Sequence, residues 1–270
     1  MGTYEMKKDE KKHQEVLERI KNFRLMDDDF MTKVFEDNIE CTELILQIIL
    51  NKDDLNVKSV RTQHSVKNLQ GRSVRLDIFA DDSKNKKYDI EIQRDDRGAG
   101  FKRARYNGSL MDANSLLAGT DSEELPENYV IFITERDIFG DNLPIYHIER
   151  TVQETGKIFD DGSHIIYVNG EYIDESSLGK LMHDFKCINP DEMYYKELAN
   201  RVRYFKEEKE GVAAMCKAME EMILEERLEE KQELALKLIK RGKMTIEEIA
   251  EDTGLSLETI EEMSKGLVMV

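Results

Sequence analysis

The sequence predicts an α/β domain followed by an all-helical extension, and three observations carry that expectation. Short β-favourable runs separated by polar turn clusters recur between residues 57 and 168. Helical stretches precede and interrupt these runs, the order expected of a sheet with helices packed on it. Beyond residue 191 the composition is helical throughout: 204–241 holds no Pro, one Gly and many Glu, Lys, Leu, Met and Ala. At 270 residues the chain is long enough for one large domain plus an accessory segment. The expected division is 1–28, 29–190 and 191–270.

Taken in order, residues 1–28 are a charged helical lead-in with Val16, Leu17, Ile20 and Phe23 at helical spacing. An apolar helix is expected over 39–50. Strands are expected at 57–64, 74–80, 86–93, 129–134, 145–151 and 164–168, with polar turns at 81–85 and 160–163. A helix is expected over 101–117. The long helix of 204–241 carries Val212, Met215, Met219, Met222 and Ile223 at three- and four-residue spacing, a core or dimer seam. Gly242 ends it. A final helix pair turns at Thr253-Gly254, with Ile246, Ile249, Ala250, Leu255, Leu257 and Ile260 as its small core and Ser256 as an N-cap.

Composition narrows the function. Hydrophobic residues make up 40% and charged residues 36%, with 3 Pro and 15 Gly, which excludes collagen-like and low-complexity classes. The apolar run at 44–50 is far short of the roughly 18 residues of a membrane span. The charged N-terminus has no apolar segment behind it and does not read as a secretory signal. Cys41, Cys187 and Cys216 are odd in number and scattered, which fits reduced thiols rather than a disulfide framework or a zinc site. A cytoplasmic protein with no membrane partner is expected. The net charge of −17 argues against a general nucleic-acid coat, so contact with DNA requires a local basic patch.

Candidate chemistry concentrates in two neighbouring strands. Asp77 lies in Arg75-Leu76-Asp77-Ile78. In Asp89-Ile90-Glu91-Ile92-Gln93, alternation sets Asp89, Glu91 and Gln93 on one face. The short polar connection suggests a hairpin, whose pairing brings Asp77 toward Glu91. Two carboxylates held together repel unless a cation lies between them, and a hard divalent ion such as Mg²⁺ meets that need. An ordinary solvated hairpin face carries acids in the same pattern. The next segment favours the metal: Arg94, Arg97, Lys102, Arg103 and Arg105 fall within twelve residues, the clearest basic cluster in the chain. Such cations suit a phosphate-bearing substrate, although a helix balanced by surface Arg presents the same residues.

Asp29-Phe30 with Lys33-Val34-Phe35, Glu43-Leu44-Ile45 with Ile49-Leu50-Asn51, the two acid-bearing strands, and Phe101-Lys102-Arg103-Ala104-Arg105-Tyr106 follow one another in a telling order. Over roughly 25–190 the chain resembles the PD-(D/E)XK nuclease superfamily. More narrowly, it resembles the bacterial PD-(D/E)XK nuclease family transposases, related to the recombination-promoting nucleases. The resemblance implies a restriction-endonuclease-like core, a central mixed sheet flanked by helices, and a DNA endonuclease dependent on Mg²⁺, with Mn²⁺ as a substitute. It implies Asp77 and Glu91 as metal-binding and catalytic acids, and Glu43 as a helix acid assisting the metal. Arg103 and Tyr106 match polar positions of the following helix; with Arg94, Arg97, Lys102 and Arg105 they make the expected DNA-binding set. Leu76 stands in place of the Pro of the superfamily's name. Gln93 stands where the superfamily most often has Lys, in the form usual for the subgroup. A carboxamide orients water but supplies no cation, which leaves the metal or Arg103 to do so. The alternative is a catalytically silent protein of the same fold that binds DNA or partner proteins.

The last helix pair has the length of a helix-turn-helix, yet 245–263 holds seven acids and no Lys or Arg. A helix lying in a groove there would be repelled by phosphates. Self-association or intramolecular regulation is the expected role, with a homo-oligomer through the C-terminal helices. His64, His147, His164 and His183 lack metal-ligand spacing. The adjacent cations and the absence of Trp argue against a sugar cleft.

Overall fold

The computed structural model describes residues 13–68, 71–94 and 98–268. Helices α1 (13–22), α2 (Asp28–Phe35) and α3 (Ile39–Leu50) precede strands β1 (Val57–Val66), β2 (Val74–Asp82) and β3 (Lys87–Gln93). Helix α4 (Phe101–Ser115) leads to β4 (Asn128–Thr134), β5 (Ile145–Ile148), the short β6 (Thr151–Val152) and β7 (Lys157–Ile158), and β8 (Ser163–Asn169). Then come α5 (Ser177–Lys186), α6 (Lys196–Glu207), α7 (Lys209–Arg241), α8 (Ile246–Thr253) and α9 (Leu257–Val268). Among the described residues no helix is long and apolar enough to cross a membrane.

Six strands form one mixed sheet in the order β1-β2-β3-β4-β8-β5. Strands β1, β2 and β3 pair antiparallel, β3, β4 and β8 pair parallel, and β5 returns antiparallel on β8. This is the expected α/β core with an all-helical C-terminal region. The strand expected over 145–151 divides: β5 ends at Ile148, and β6 pairs with β7 in a separate ribbon. Helices α2 and α5 add to the expected set. Ser176 caps α5 by accepting the Gly179 N–H at 3.0 Å.

Helix α4 sets Ala104, Leu110 and Met111 against Val130, Phe132 and Tyr167. Ile131 and Ile133 alternate with Val130 and Phe132 onto the other face and are fully buried too. The sheet is therefore covered on both sides, which explains why β4 reads as a continuous apolar run.

The chain divides into two compact units, Met1–Met215 and Cys216–Val270. The first takes in α6, which the sequence groups with the C-terminal helices. Leu198, Val202 and Phe205 of α6 are buried, and Phe205 meets Phe30 edge-on at 6.4 Å. Lys206 Nζ donates to the carbonyls of Lys21, Phe23 and Ile188. The second unit packs Ala235 of α7 with Ile249 and Ile260. Leu257, expected in that core, is 49% exposed. Thr245 and Glu248 close a capping box at the start of α8, a Thr-x-x-Glu signal present in the sequence. Gly242 and Gly254 adopt positive φ just after α7 and α8, where a left-handed residue stops a helix.

Candidate active site

The β2–β3 hairpin is organised by its turn. Asp82 Oδ1 accepts the N–H groups of Lys84 at 2.8 Å and Lys86 at 2.9 Å, and Asn85 takes a left-handed conformation with φ 64°. From there the strands pair in register, Asp81 with Lys87 through Ile78 with Ile90. Continued one pair further, the same register sets Asp77 opposite Glu91. Asp77 Oδ2 accepts the Ile92 N–H at 3.0 Å, and Gln93 Nε2 lies 3.3 Å from both Asp77 Oδ2 and Glu91 Oε2. Both carboxylates thus converge on one carboxamide, and their oxygens lie within twice that distance of each other.

This end of the hairpin is not a solvated face. Asp89 and Glu91 are fully buried, and Asp77 is 8% exposed. Asp89 and Glu91 stand level with Val130 and Phe132, which places them on the side covered by α4. Asn107 of α4 donates Nδ2 to Asp89 Oδ2 at 2.9 Å and to Glu91 Oε1 at 3.1 Å. One turn earlier, Arg103 forms an ion pair with Glu91 Oε2 and donates to the Gly98 carbonyl at 3.0 Å. Burial pushes Glu91 up to about 8, the Asp89 charge adding to the shift and Arg103 opposing it. Burial likewise pushes Asp89 up to about 7, against the Asn107 hydrogen bond. Asp77 is held well above the usual carboxylate range by burial, then by the charges of Glu91 and Asp28. The buried oxygens Asp89 Oδ1 and Asn107 Oδ1 have no hydrogen-bond partner among the described residues.

The remaining expected site residues scatter. Glu43 is not brought to this cluster: its Oε2 accepts the Val57 N–H at 2.8 Å. Val57 pairs with Asp82, five residues along β2 from Asp77, which is about 17 Å of strand. The helix acid whose charge does reach Asp77 is Asp28, in the first turn of α2. Its signal was the run Asp27-Asp28-Asp29 at a helix start. Asn107 was also missed, although it lies four residues beyond Arg103 on one helix face. Arg94 pairs with Asp27 at 2.7 Å and Glu135 at 3.5 Å. Tyr106 donates its hydroxyl to the Arg72 carbonyl and accepts from Asn68 at 3.0 Å, tying α4 to the segment before β2. Lys102 and Arg105 are exposed on α4. Arg97 lies outside the described residues.

The donor set fits a hard divalent cation: two carboxylates, a neighbouring carboxamide, and a buried acid oxygen without a partner among the described residues. Among the described residues no three His, Cys, Asp or Glu side chains gather as a metal cage. A two-carboxylate set suits an ion that keeps its waters and takes a substrate phosphate as a further ligand.

The chain matches the model of the PD-(D/E)XK nuclease family transposase over residues 36–248. That stretch spans the whole sheet, α4 and the converging acids, and leaves out Asp28. No curated protein matches the chain, and no solved structure matches it. With the mixed sheet and the hairpin acids in place, a match over most of the chain has one meaning: this protein belongs to the PD-(D/E)XK nuclease family transposases.

Proposed function

We propose that this protein is a DNA endonuclease that hydrolyses phosphodiester bonds with a divalent ion, Mg²⁺ or Mn²⁺ in its place. The observation that carries the reading is the approach of Asp77 Oδ2 and Glu91 Oε2 to within 3.3 Å of the same Gln93 nitrogen, in a buried setting. Acids crowded out of water are relieved by a cation. Asp77 and Glu91 would hold it, and rotation of the Gln93 carboxamide presents an oxygen to the same point. The ion would polarise the scissile phosphodiester and stabilise charge on the leaving oxygen. Gln93 orients the attacking water by hydrogen bonding. Arg103 supplies the fixed positive charge that Gln93 lacks, beside the developing charge on phosphorus. Lys102 and Arg105 engage the DNA backbone, while Arg94 braces the end of β3 through Asp27 and Glu135. In this reading Asp28 takes the place of Glu43 as the nearby helix acid. The substrate in this reading is DNA of the bacterial cytoplasm, a setting that the transposase description of the family supports.

One feature favours a second reading, a catalytically silent protein of the same fold. Arg103 already neutralises Glu91, and Gln93 spans both acids. Supercoiled plasmid incubated with Mg²⁺, with Mn²⁺ and with EDTA decides between the two. Nicking that requires the ion and vanishes in Asp77→Asn supports the enzyme. Intact plasmid in all three, with DNA binding retained, supports the silent protein.

Assembly through the C-terminal helices belongs to the same proposal. Leu224, Leu228 and Leu234 of α7 are exposed at 64%, 47% and 45%. Light scattering of the intact chain, compared with a chain ending at Met215, reads the oligomeric state.

A further inference from the structure

Helix α4 packs chiefly on β4, and a hollow of about 410 Å³ remains between its first turn and the β8–β5 side of the sheet. Ile165 and Tyr167 of β8 form its floor; Phe101 and Ala104 of α4, Phe139 and Ile148 wall it. Phe101 stacks on Phe139 with centroids 5.4 Å apart and meets Tyr167 edge-on at 5.7 Å, yet it stays 59% exposed. Three charged side chains stand at the rim. Glu149 is held by His164 at 2.9 Å and Arg150 by Asp161, whereas Arg105 makes no ion pair among the described residues.

The hollow is aligned with the acids. Glu91, Phe132 and Tyr167 are register partners across β3, β4 and β8, so they share a face at one level of the sheet. Two strand spacings, about 10 Å, separate Glu91 from the floor. The Arg103 guanidinium lies between, 5.8 Å over the Phe132 ring.

We propose that this hollow receives a nucleobase of the bound DNA strand, unstacked from its neighbours and adjoining the phosphodiester at Asp77 and Glu91. The inference rests on the nuclease reading and deepens it. An apolar slot edged by an exposed phenyl ring accepts the flat face of any base, because every base stacks. Arg105 at the rim meets the phosphate that travels with that base. A protein side chain would need neither the cation at the rim nor the alignment with the acids. Leaving the stack is least costly for single-stranded or mismatched DNA. The substrate class is therefore DNA that is unpaired at the site of cleavage.

The test uses the full chain in EDTA, so that cleavage does not intervene. Binding of a single-stranded oligonucleotide carrying 2-aminopurine, and of the same strand in a duplex, is measured by anisotropy and by 2-aminopurine fluorescence. The wild type is expected to favour the single strand and to alter the probe's emission by stacking. Phe101→Ala is expected to lose affinity about tenfold and most of that change, while Phe101→Tyr retains both. Arg105→Ala is expected to lower the salt dependence by about one phosphate contact. Urea midpoints verify that the variants are folded. Wild-type affinity and emission in Phe101→Ala overturn the proposal, as does a variant that dissolves an oligomer without changing DNA binding. Plasmid nicking separates the levels: a wild type that nicks while Phe101→Ala binds normally sinks the pocket alone. A wild type that neither binds nor nicks sinks the nuclease reading with it.

Discussion

Asn107 donates one amide nitrogen to Glu91 Oε1 at 3.1 Å and shares it with Asp89 at 2.9 Å, so a single helix side chain couples two buried strand acids. Replacing it by Leu keeps the volume and removes the donor. Asn107→Leu should cost about 1–3 kcal/mol in urea unfolding. The loss should be larger at pH 8 than at pH 6, because acids deprived of a donor retreat to their protonated form. An unchanged urea midpoint at both pH values would show that this link carries no stability.

The buried acids also set a pH trend. Burial raises Asp89 to about 7 and Glu91 to about 8 in the folded, metal-free protein, against about 4 when unfolded. Between those limits the folded state binds more protons, so stability falls as pH rises from about 4 to about 8. Melting temperatures from pH 5 to 9 should therefore decline, and Asp89→Asn should flatten the decline. A divalent ion added at pH 8.5 should restore stability, since binding takes the deprotonated acids. A wild-type profile that climbs over this range, with Asp89→Asn parallel to it, contradicts the account.

Asp77 and Glu43 should separate cleanly. Asp77→Asn keeps an oxygen for the Ile92 N–H but removes a metal-binding charge, and should lower ion-dependent nicking by about a thousandfold or more. Glu43→Ala deprives the Val57 N–H of its acceptor. It should cost about 1–2 kcal/mol in stability and leave nicking by the folded protein within a few-fold. The reverse pattern would move the site to the other end of β2.

Lys206 bonds three backbone carbonyls, those of Lys21, Phe23 and Ile188, and lies 5.4 Å over the Phe30 ring. Lys206→Met retains the apolar stem and strips the donors. It should destabilise the first unit by at least about 2 kcal/mol in urea unfolding. A smaller loss would mean that water replaces the ammonium there.

Much of the architecture is local pattern. The apolar period predicts α3 over 39–50, and the helix is Ile39–Leu50. Alternation in 86–93 and the polar turn before it predict the β2–β3 hairpin, and Asp77, Glu91 and Gln93 meet as its register requires. Two-turn helices such as α2 are harder to see, because eight residues hold too few repeats of the apolar period to stand out. The strand expected over 145–151 breaks because Thr151 pairs with Ile158 rather than with the main sheet, a choice between partners that no single run displays.

What the sequence determined by itself is therefore the order of the main strands and longer helices, the β2–β3 hairpin and the pair of acids facing each other across it, because these depend on residues a few positions apart. Only the tertiary structure decided that those acids are buried rather than solvated, since alternation reads the same until α4 lands on them with Arg103 and Asn107. It also decided that Glu43 serves β1 while the charge of Asp28 is felt at Asp77. Those outcomes follow from where helices distant in the chain come to rest on the sheet, and packing between distant segments leaves no period in the sequence.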